Sequence, residues 1–174
     1  DGVLQYVMLE GEPGHQDALL RTEYCVKTLT EAGVVVEKLA SNNADWVRGQ
    51  ATLRMQQWLE TFGDTIEVVF SNNDDMALGA IDACLAAGMT EAELPFIVGV
   101  DATPPALEAV AAGTLKGTVQ NDAAGQAESI LDLCCALAGG QDAASAVALE
   151  DGKYVWLEYT AVTKENLEDF LPEA

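Results

Sequence analysis

A doubly wound α/β fold built on a mainly parallel sheet is predicted by three features of the sequence. Short apolar runs, β-branched and nearly continuous, recur along the chain, the pattern of strands covered on both faces. Amphipathic stretches of helical period separate them. Gly33, Gly63, Gly88 and Gly113 each stand just past one of those stretches, where a left-handed C-cap is wanted. Repeated strand–helix alternation of this kind gives the class.

The elements follow in order. A strand is expected over residues 3–9 (Val-Leu-Gln-Tyr-Val-Met-Leu) and a helix over 18–32. Val34, Val35 and Val36 mark a second strand, and 46–62 a helix with Met55, Leu59 and Phe62 on one stripe. Residues 66–70 form the third strand, and 75–87 a helix on which Ala77, Ile81 and Leu85 recur at i, i+4 and i+8. Residues 96–100 and 115–119 are further strands, each followed by helical sequence, at 105–112 and 123–137. The last part differs: a loop opens at Gly139-Gly140 and runs to Gly152, 154–159 reads as a strand, and 166–170 as a short terminal helix.

The chain has 174 residues, 49% of them hydrophobic, enough to bury a core in one domain or one and a fraction. Only 8 Lys or Arg stand against 29 Asp or Glu, a formal net charge of -21, and none lies between Arg54 and Lys116. That excludes a protein that tracks nucleic-acid phosphates, and the same field disfavours an anionic membrane surface or substrate. A neutral small molecule or a cation is the natural partner. No apolar run approaches the ~18 residues of a membrane span, so direct membrane insertion is not expected. The chain opens at Asp1 without an initiator Met, as if sequence upstream had been removed or not included. Cys25, Cys84, Cys134 and Cys135 lack zinc or Cys-x-x-Cys spacing and read as buried or half-buried small apolar residues of helices.

In an open parallel sheet, ligands bind beyond the carboxyl ends of the strands. The connections at that edge are polar. The first runs Gly11-Glu12-Pro13-Gly14-His15-Gln16-Asp17, with Arg21 one helical turn after Asp17. The others carry Ser41-Asn42-Asn43-Ala44-Asp45-Trp46, Ser71-Asn72-Asn73-Asp74-Asp75, Asp101-Ala102-Thr103 and Gln120-Asn121-Asp122. Any one of these Asn, Asp or Ser residues reads first as a helix N-cap. Together with the only His, an Arg and a Trp at one edge, they point to a polar cleft. Carboxylates, amides and a guanidinium fork suit vicinal hydroxyls, which both donate and accept. Trp46 can stack on the C–H face of a sugar ring, although a Trp at a helix start more commonly just packs. No Gly-x-Gly-x-x-Gly or Walker loop supports a nucleotide, and neither a nucleophile elbow nor a Cys–His arrangement supports catalysis.

The run from Gly11 to Asp17 with Arg21 resembles the periplasmic galactose/glucose-binding protein family. So do 66–69 leading into Asn72-Asn73-Asp74 with Met76-Ala77, Gly99-Val100-Asp101-Ala102, and Gly117-Thr118-Val119 with Asn121-Asp122-Ala123. The matches keep their order from Asp1 to about Phe170. The resemblance implies a two-lobed, extracytoplasmic, non-enzymatic receptor, in the periplasm or on a cell-surface lipoprotein. It would deliver D-galactose or D-glucose to the membrane components of an ABC importer and, in some bacteria, to a chemotaxis receptor. It implies that His15, Asp17, Arg21, Asn73, Asp101 and Asn121 hydrogen-bond the sugar and that Trp46 stacks on it. The sugar-sensing domain of a LacI-type transcription regulator is the alternative, since it shares the fold.

The resemblance further implies a calcium site, an EF-hand-like loop closed by a remote carboxylate. Asp1-Gly2-Val3-Leu4-Gln5 matches loop positions 5 to 9, so Asp1, the Val3 carbonyl and Gln5 would ligate Ca2+. Met8 at position 12 cannot, and the remote ligand falls on Glu67. Without the resemblance, Asp-Gly is a turn and Glu67 a strand residue. The expected organisation is residues 1–118 in the carboxyl-terminal lobe without its first strand and helix, 119–156 crossing the hinge into the amino-terminal lobe, and 157–174 returning.

Overall fold

A computed structural model describes residues 2–171. The chain divides into two compact units, one of Asp1–Val119 with Ala161–Ala174, the other of Gln120–Thr160.

In the first unit, strands β1 (Val3–Glu10), β2 (Val35–Asn43), β3 (Val68–Ser71) and β4 (Phe96–Val98) form one sheet in the order β2-β1-β3-β4. Every pairing is parallel. Backbone bonds from Lys116 to Ile97, from Gly99 to Gly117 and from Asp101 to Val119 carry the parallel pattern onto the segment entering β5 (Thr118–Gln120). Helices α1 (Gln16–Glu31), α2 (Arg48–Phe62), α3 (Asp74–Ala86) and α4 (Pro104–Ala112) make the connections. This is the α/β class that the alternation predicts.

β1 shows how burial organises the two faces. Val7 and Leu9 point into the main core with Met55 and Trp58 of α2, Met76 and Ile81 of α3, and Val110 of α4. Tyr6 and Met8 point the other way, joining Val68 and the α1 residues Cys25 and Val26. The expectation of full cover on both faces fails on this second side. There α1 buries only Ala18, Phe96 is 53% exposed, and a cavity of about 320 Å³ opens between Met8, Cys25, Phe70 and Val98.

Several boundaries also differ. β2 runs to Asn43, well beyond Val36, because backbone pairing with β1 continues to Glu10↔Asn43 despite polar side chains. Trp46 lies outside α2, which starts at Arg48. Gly113 adopts the left-handed C-cap expected of it (φ 84°).

The second unit contains α5 (Ala123–Ala138) and a 3₁₀ turn at Ala143–Ser145. The strand expected over 154–159 is not formed: only Glu150 and Tyr154 make an isolated bridge, and β6 lies further on, at Thr160–Val162. The terminal helix is a 3₁₀ segment, Leu167–Phe170. Cys84 is buried and Cys25 half-buried, but Cys134 and Cys135 are exposed on α5, contrary to the reading of all four as packed residues.

Candidate functional site

The sheet order reverses between β1 and β3, so their carboxyl ends diverge into helices on opposite faces and leave a crevice. Asn72, which follows β3, organises it. This side chain is 1% exposed, its Oδ1 accepts from the Gly11 amide at 3.0 Å, and its Nδ2 donates to Thr22 of α1 at 3.0 Å. Its carbonyl accepts from Arg21 Nη1 at 2.8 Å. Asn43 Nδ2 donates to the Gly11 carbonyl at 2.7 Å, so the loop after β1 is pinned from both sides. The sequence places Asn72 in the motif without marking it as functional. The expectation falls on its neighbour Asn73, since spacing alone does not distinguish two adjacent asparagines.

Arg21 stands at the centre. Its Nη2 lies 3.6 Å from Asp17 Oδ2 and its Nη1 3.5 Å from Asp101 Oδ1. These are ion pairs longer than a hydrogen bond, so the fork keeps donors for a ligand oxygen. The guanidinium also stands over the Trp46 ring, 5.9 Å from its centroid. His15 meets the same indole edge-on, with centroids 5.3 Å apart. His15 Nδ1 accepts from the Asp17 amide at 3.2 Å and caps α1, which places the proton of the neutral ring on Nε2. Asn73 caps α3 through Oδ1, accepting from Met76 N at 3.0 Å, and its Nδ2 donates to the Trp46 carbonyl at 3.3 Å. The capping reading therefore holds for Asn73, His15 caps α1 as well, and both also touch Trp46.

Trp46 is presented by a turn that sequence propensity does not favour. Val47 N donates to Ala44 O at 2.8 Å, and the two central residues have φ of 51° (Asp45) and 67° (Trp46). Each left-handed non-glycine residue costs ~1–2 kcal/mol, and such strain collects at functional sites. The indole lies against Gly11, where an added Cβ would sit 2.2 Å from Cζ2 and 2.3 Å from Cε2. Gly11→Ala is accordingly expected to push the indole out and weaken ligand binding about tenfold or more. Titration with the ligand, followed by tryptophan fluorescence, checks it, and unchanged affinity would remove Trp46 from the binding wall.

Asp101 also sits in strained backbone, with φ of 124° there and 55° at Ala102. Beneath it Asp74, fully buried, accepts from Thr118 Oγ1 at 2.6 Å and from the Thr103 amide at 2.8 Å. Burial pushes its pKa from 3.8 up to about 6; these hydrogen bonds oppose the shift and the Asp101 charge adds to it. A carboxyl whose folded pKa is raised stabilises the fold most below its unfolded value, and that contribution is lost as pH rises through about 6. Unfolding by urea should therefore show Asp74 lowering stability by on the order of 2–3 kcal/mol between pH 4 and pH 7. In Asp74→Asn that part of the slope should vanish; an identical slope in both proteins would contradict it.

Asn121 belongs to the second unit, where its Oδ1 accepts from Gln126 Nε2 at 2.7 Å. Of the expected calcium ligands, Gln5 and Glu67 are adjacent: the Gln5 amide donates to Glu67 Oε2 at 2.8 Å and the Glu67 amide to Gln5 O at 3.0 Å. Val3 opens β1, and Asp1 lies outside the described residues. Among the described residues no group of three or more His, Cys, Asp or Glu converges.

A cation held between two carboxylates, beside an indole and two asparagines, thus lies at the carboxyl edge of a parallel sheet. The chain belongs to the periplasmic binding protein family, whose domain model matches residues 1–142. It is 41% identical over 173 residues to the D-galactose/methyl-galactoside binding periplasmic protein of Haemophilus influenzae, covering 98% of this chain and 51% of that one. It is 34% identical over 133 residues to a xylitol-binding protein of Mycolicibacterium smegmatis, covering 76% of this chain and 35% of that one. Among solved structures, an ABC transporter solute binding protein of Bacillus halodurans with bound myo-inositol superposes with a TM-score of 0.79 at 33% identity. The match covers 95% of this chain and 53% of that one. The chain thus spans about half the length of the Haemophilus relative. These relatives are binding proteins, not enzymes, and the family is extracytoplasmic. Among the described residues no helix is long and apolar enough to cross a membrane.

Proposed function

We propose that the chain grips a neutral hexose, D-galactose or D-glucose, as part of a two-lobed receptor that feeds the membrane components of an ABC importer. The observation that carries this is the Arg21 fork between Asp17 and Asp101 beside the Trp46 indole. Charged groups make the stronger hydrogen bonds to hydroxyls, and the indole supplies an apolar wall for ring C–H groups. The galactose named for the Haemophilus relative and the myo-inositol of the Bacillus structure are both ring polyols. His15 and Asn73 complete the first unit's share, and Asn121 is assigned by resemblance alone. A chemotaxis receptor as second partner rests on the same resemblance.

The assignment of 119–156 to the amino-terminal lobe is supported by apolar side chains left in water on the second unit. Ile130, Leu131, Leu137 and Trp156 are 61%, 63%, 62% and 70% exposed, as if awaiting a core. Thermal melting of the two-lobed receptor with a panel of neutral sugars tests the function. Galactose or glucose should raise the midpoint, since ligand at 1,000 times Kd stabilises by about 4 kcal/mol. A response only to acidic or amino compounds would overturn it.

Calcium would be held by Gln5, the Val3 carbonyl, Glu67 and Asp1, oxygen donors suited to a hard cation. Chelation should lower the receptor's melting temperature, and Glu67→Gln should abolish that response. A midpoint indifferent to chelator would exclude the site.

A further inference from the structure

We propose that Asp74 is a positioning residue for the sugar site, holding the strained Asp101–Thr103 turn so that Asp101 faces Arg21. The inference rests on the hexose-binding reading and adds to it a residue that does not itself touch ligand.

The geometry is a two-armed tether. One arm is direct: Asp74 Oδ2 accepts from the Thr103 amide at 2.8 Å and from the Thr103 hydroxyl at 3.3 Å. The other is relayed: Thr118 Oγ1 accepts from the Ala102 amide at 3.2 Å and donates to Asp74 Oδ1 at 2.6 Å. Both amides that follow the left-handed residues Asp101 and Ala102 are therefore tied to one carboxylate. The Asp74 amide in turn donates to Val100 O at 2.8 Å, closing the loop on its other side. Gly99 makes the room, since a Cβ there would stand 2.4 Å from Asp74 Oδ1. A conformation with φ of 124° and 55° persists only where surrounding contacts over-determine it, and this carboxylate supplies them.

Only an ionised carboxylate can accept from every donor here. Once protonated, one oxygen donates to Thr118 Oγ1, which can still accept from the Ala102 amide, and the bonds to Thr103 become neutral and weaker. The charged group acting on Asp74 is Asp101, across the turn, which pairs with Arg21 of α1. The neighbours from the other packed elements, Thr103, Thr118 and Gly99, are neutral. Its pKa of about 6 places that weakening of the tether in a mildly acidic range.

The test compares the wild-type receptor with Asp74→Asn and Thr118→Val, titrating D-galactose and D-glucose from pH 5 to 8. In parallel, the amide proton shifts of Ala102 and Thr103 are followed by NMR in the sugar-free protein. Asp74→Asn should bind about tenfold more weakly at pH 7.5 and lose pH dependence, and the wild type should approach it below pH 6. Thr118→Val should weaken binding in the same direction. The two amides should titrate together near pH 6 in the wild type and stay flat in Asp74→Asn. Wild-type affinity in both variants, with unshifted amides, would overturn the inference. If the wild type binds no hexose, the hexose reading fails, and the amide titration alone decides whether Asp74 holds the turn.

Discussion

Arg21→Ala is expected to weaken hexose binding by the receptor at least a hundredfold, about 3 kcal/mol. The guanidinium is 16% exposed and is the cation that Asp17 and Asp101 share. Its removal deletes the fork that would bond the sugar and leaves two carboxylates facing the cleft without their counter-charge. It also takes the 2.8 Å donor from the Asn72 carbonyl, loosening the residue that pins Gly11. Arg21→Lys restores the charge but not the planar fork, so it should recover part of the affinity and stop well short of wild type. Calorimetry on the three proteins checks the order. An alanine variant within threefold of wild type would show that Arg21 braces the loops and does not hold ligand.

The second large effect is on stability. Gly79→Ala should destabilise the fold by about 2–3 kcal/mol. Glycine to alanine usually stabilises a helix, but here the sign reverses. Gly79 faces the start of α2, and an added Cβ would lie 2.3 Å from the Arg48 backbone oxygen and 3.1 Å from the Ala51 Cβ. That carbonyl cannot swing aside as a flexible side chain would. Arg48 is also held to Asp82 of α3, Nε to Oδ2 at 2.7 Å and Nη2 to Oδ1 at 2.9 Å. The pair is half-exposed and adds little stability by itself, but it fixes where α2 begins. The melting temperature should fall by roughly 5–10 °C. Gly49→Ala is the control: nothing lies within 4 Å of its Cβ position, so it should be neutral or stabilise by a few tenths of a kcal/mol. Equal effects of the two substitutions would mean that the helices slide apart at little cost.

The parts of this fold legible in the sequence are those where one residue pattern serves one environment. β1 and α3 are examples: 3–9 is nearly continuous apolar sequence between two neighbours, and nine of the thirteen residues of α3 are buried. β2 was underestimated because it pairs only with β1, and an edge strand tolerates Glu37, Lys38, Ser41 and Asn42. The segment 154–159 misled in the opposite way. Its aromatic residues favour a strand, but only the isolated Glu150–Tyr154 bridge forms, and Tyr154 and Trp156 are 51% and 70% exposed.

At the site, side-chain chemistry was readable and backbone geometry was not. Asp17 and Arg21, which the sequence places one turn apart, stand within 3.6 Å of each other on α1. The turn that lays Trp46 on Gly11, and the one that presents Asp101, both place non-glycine residues at positive φ. Local preference argues against each, so only tertiary contacts reveal them. Asn72 and Asp74 escaped for a related reason. Each is buried, 1% and 0% exposed, and is held by hydrogen bonds to the chain itself.

On this proposal the chain supplies the gripping surface for a neutral hexose. A calorimetric titration of D-galactose and D-glucose into the two-lobed receptor tests it most directly. One saturable site of micromolar affinity or tighter, weakened at least a hundredfold by Arg21→Ala, is the predicted result. A folded receptor that gives no binding heat with either hexose and shows no competition between them and any other neutral polyol would contradict it.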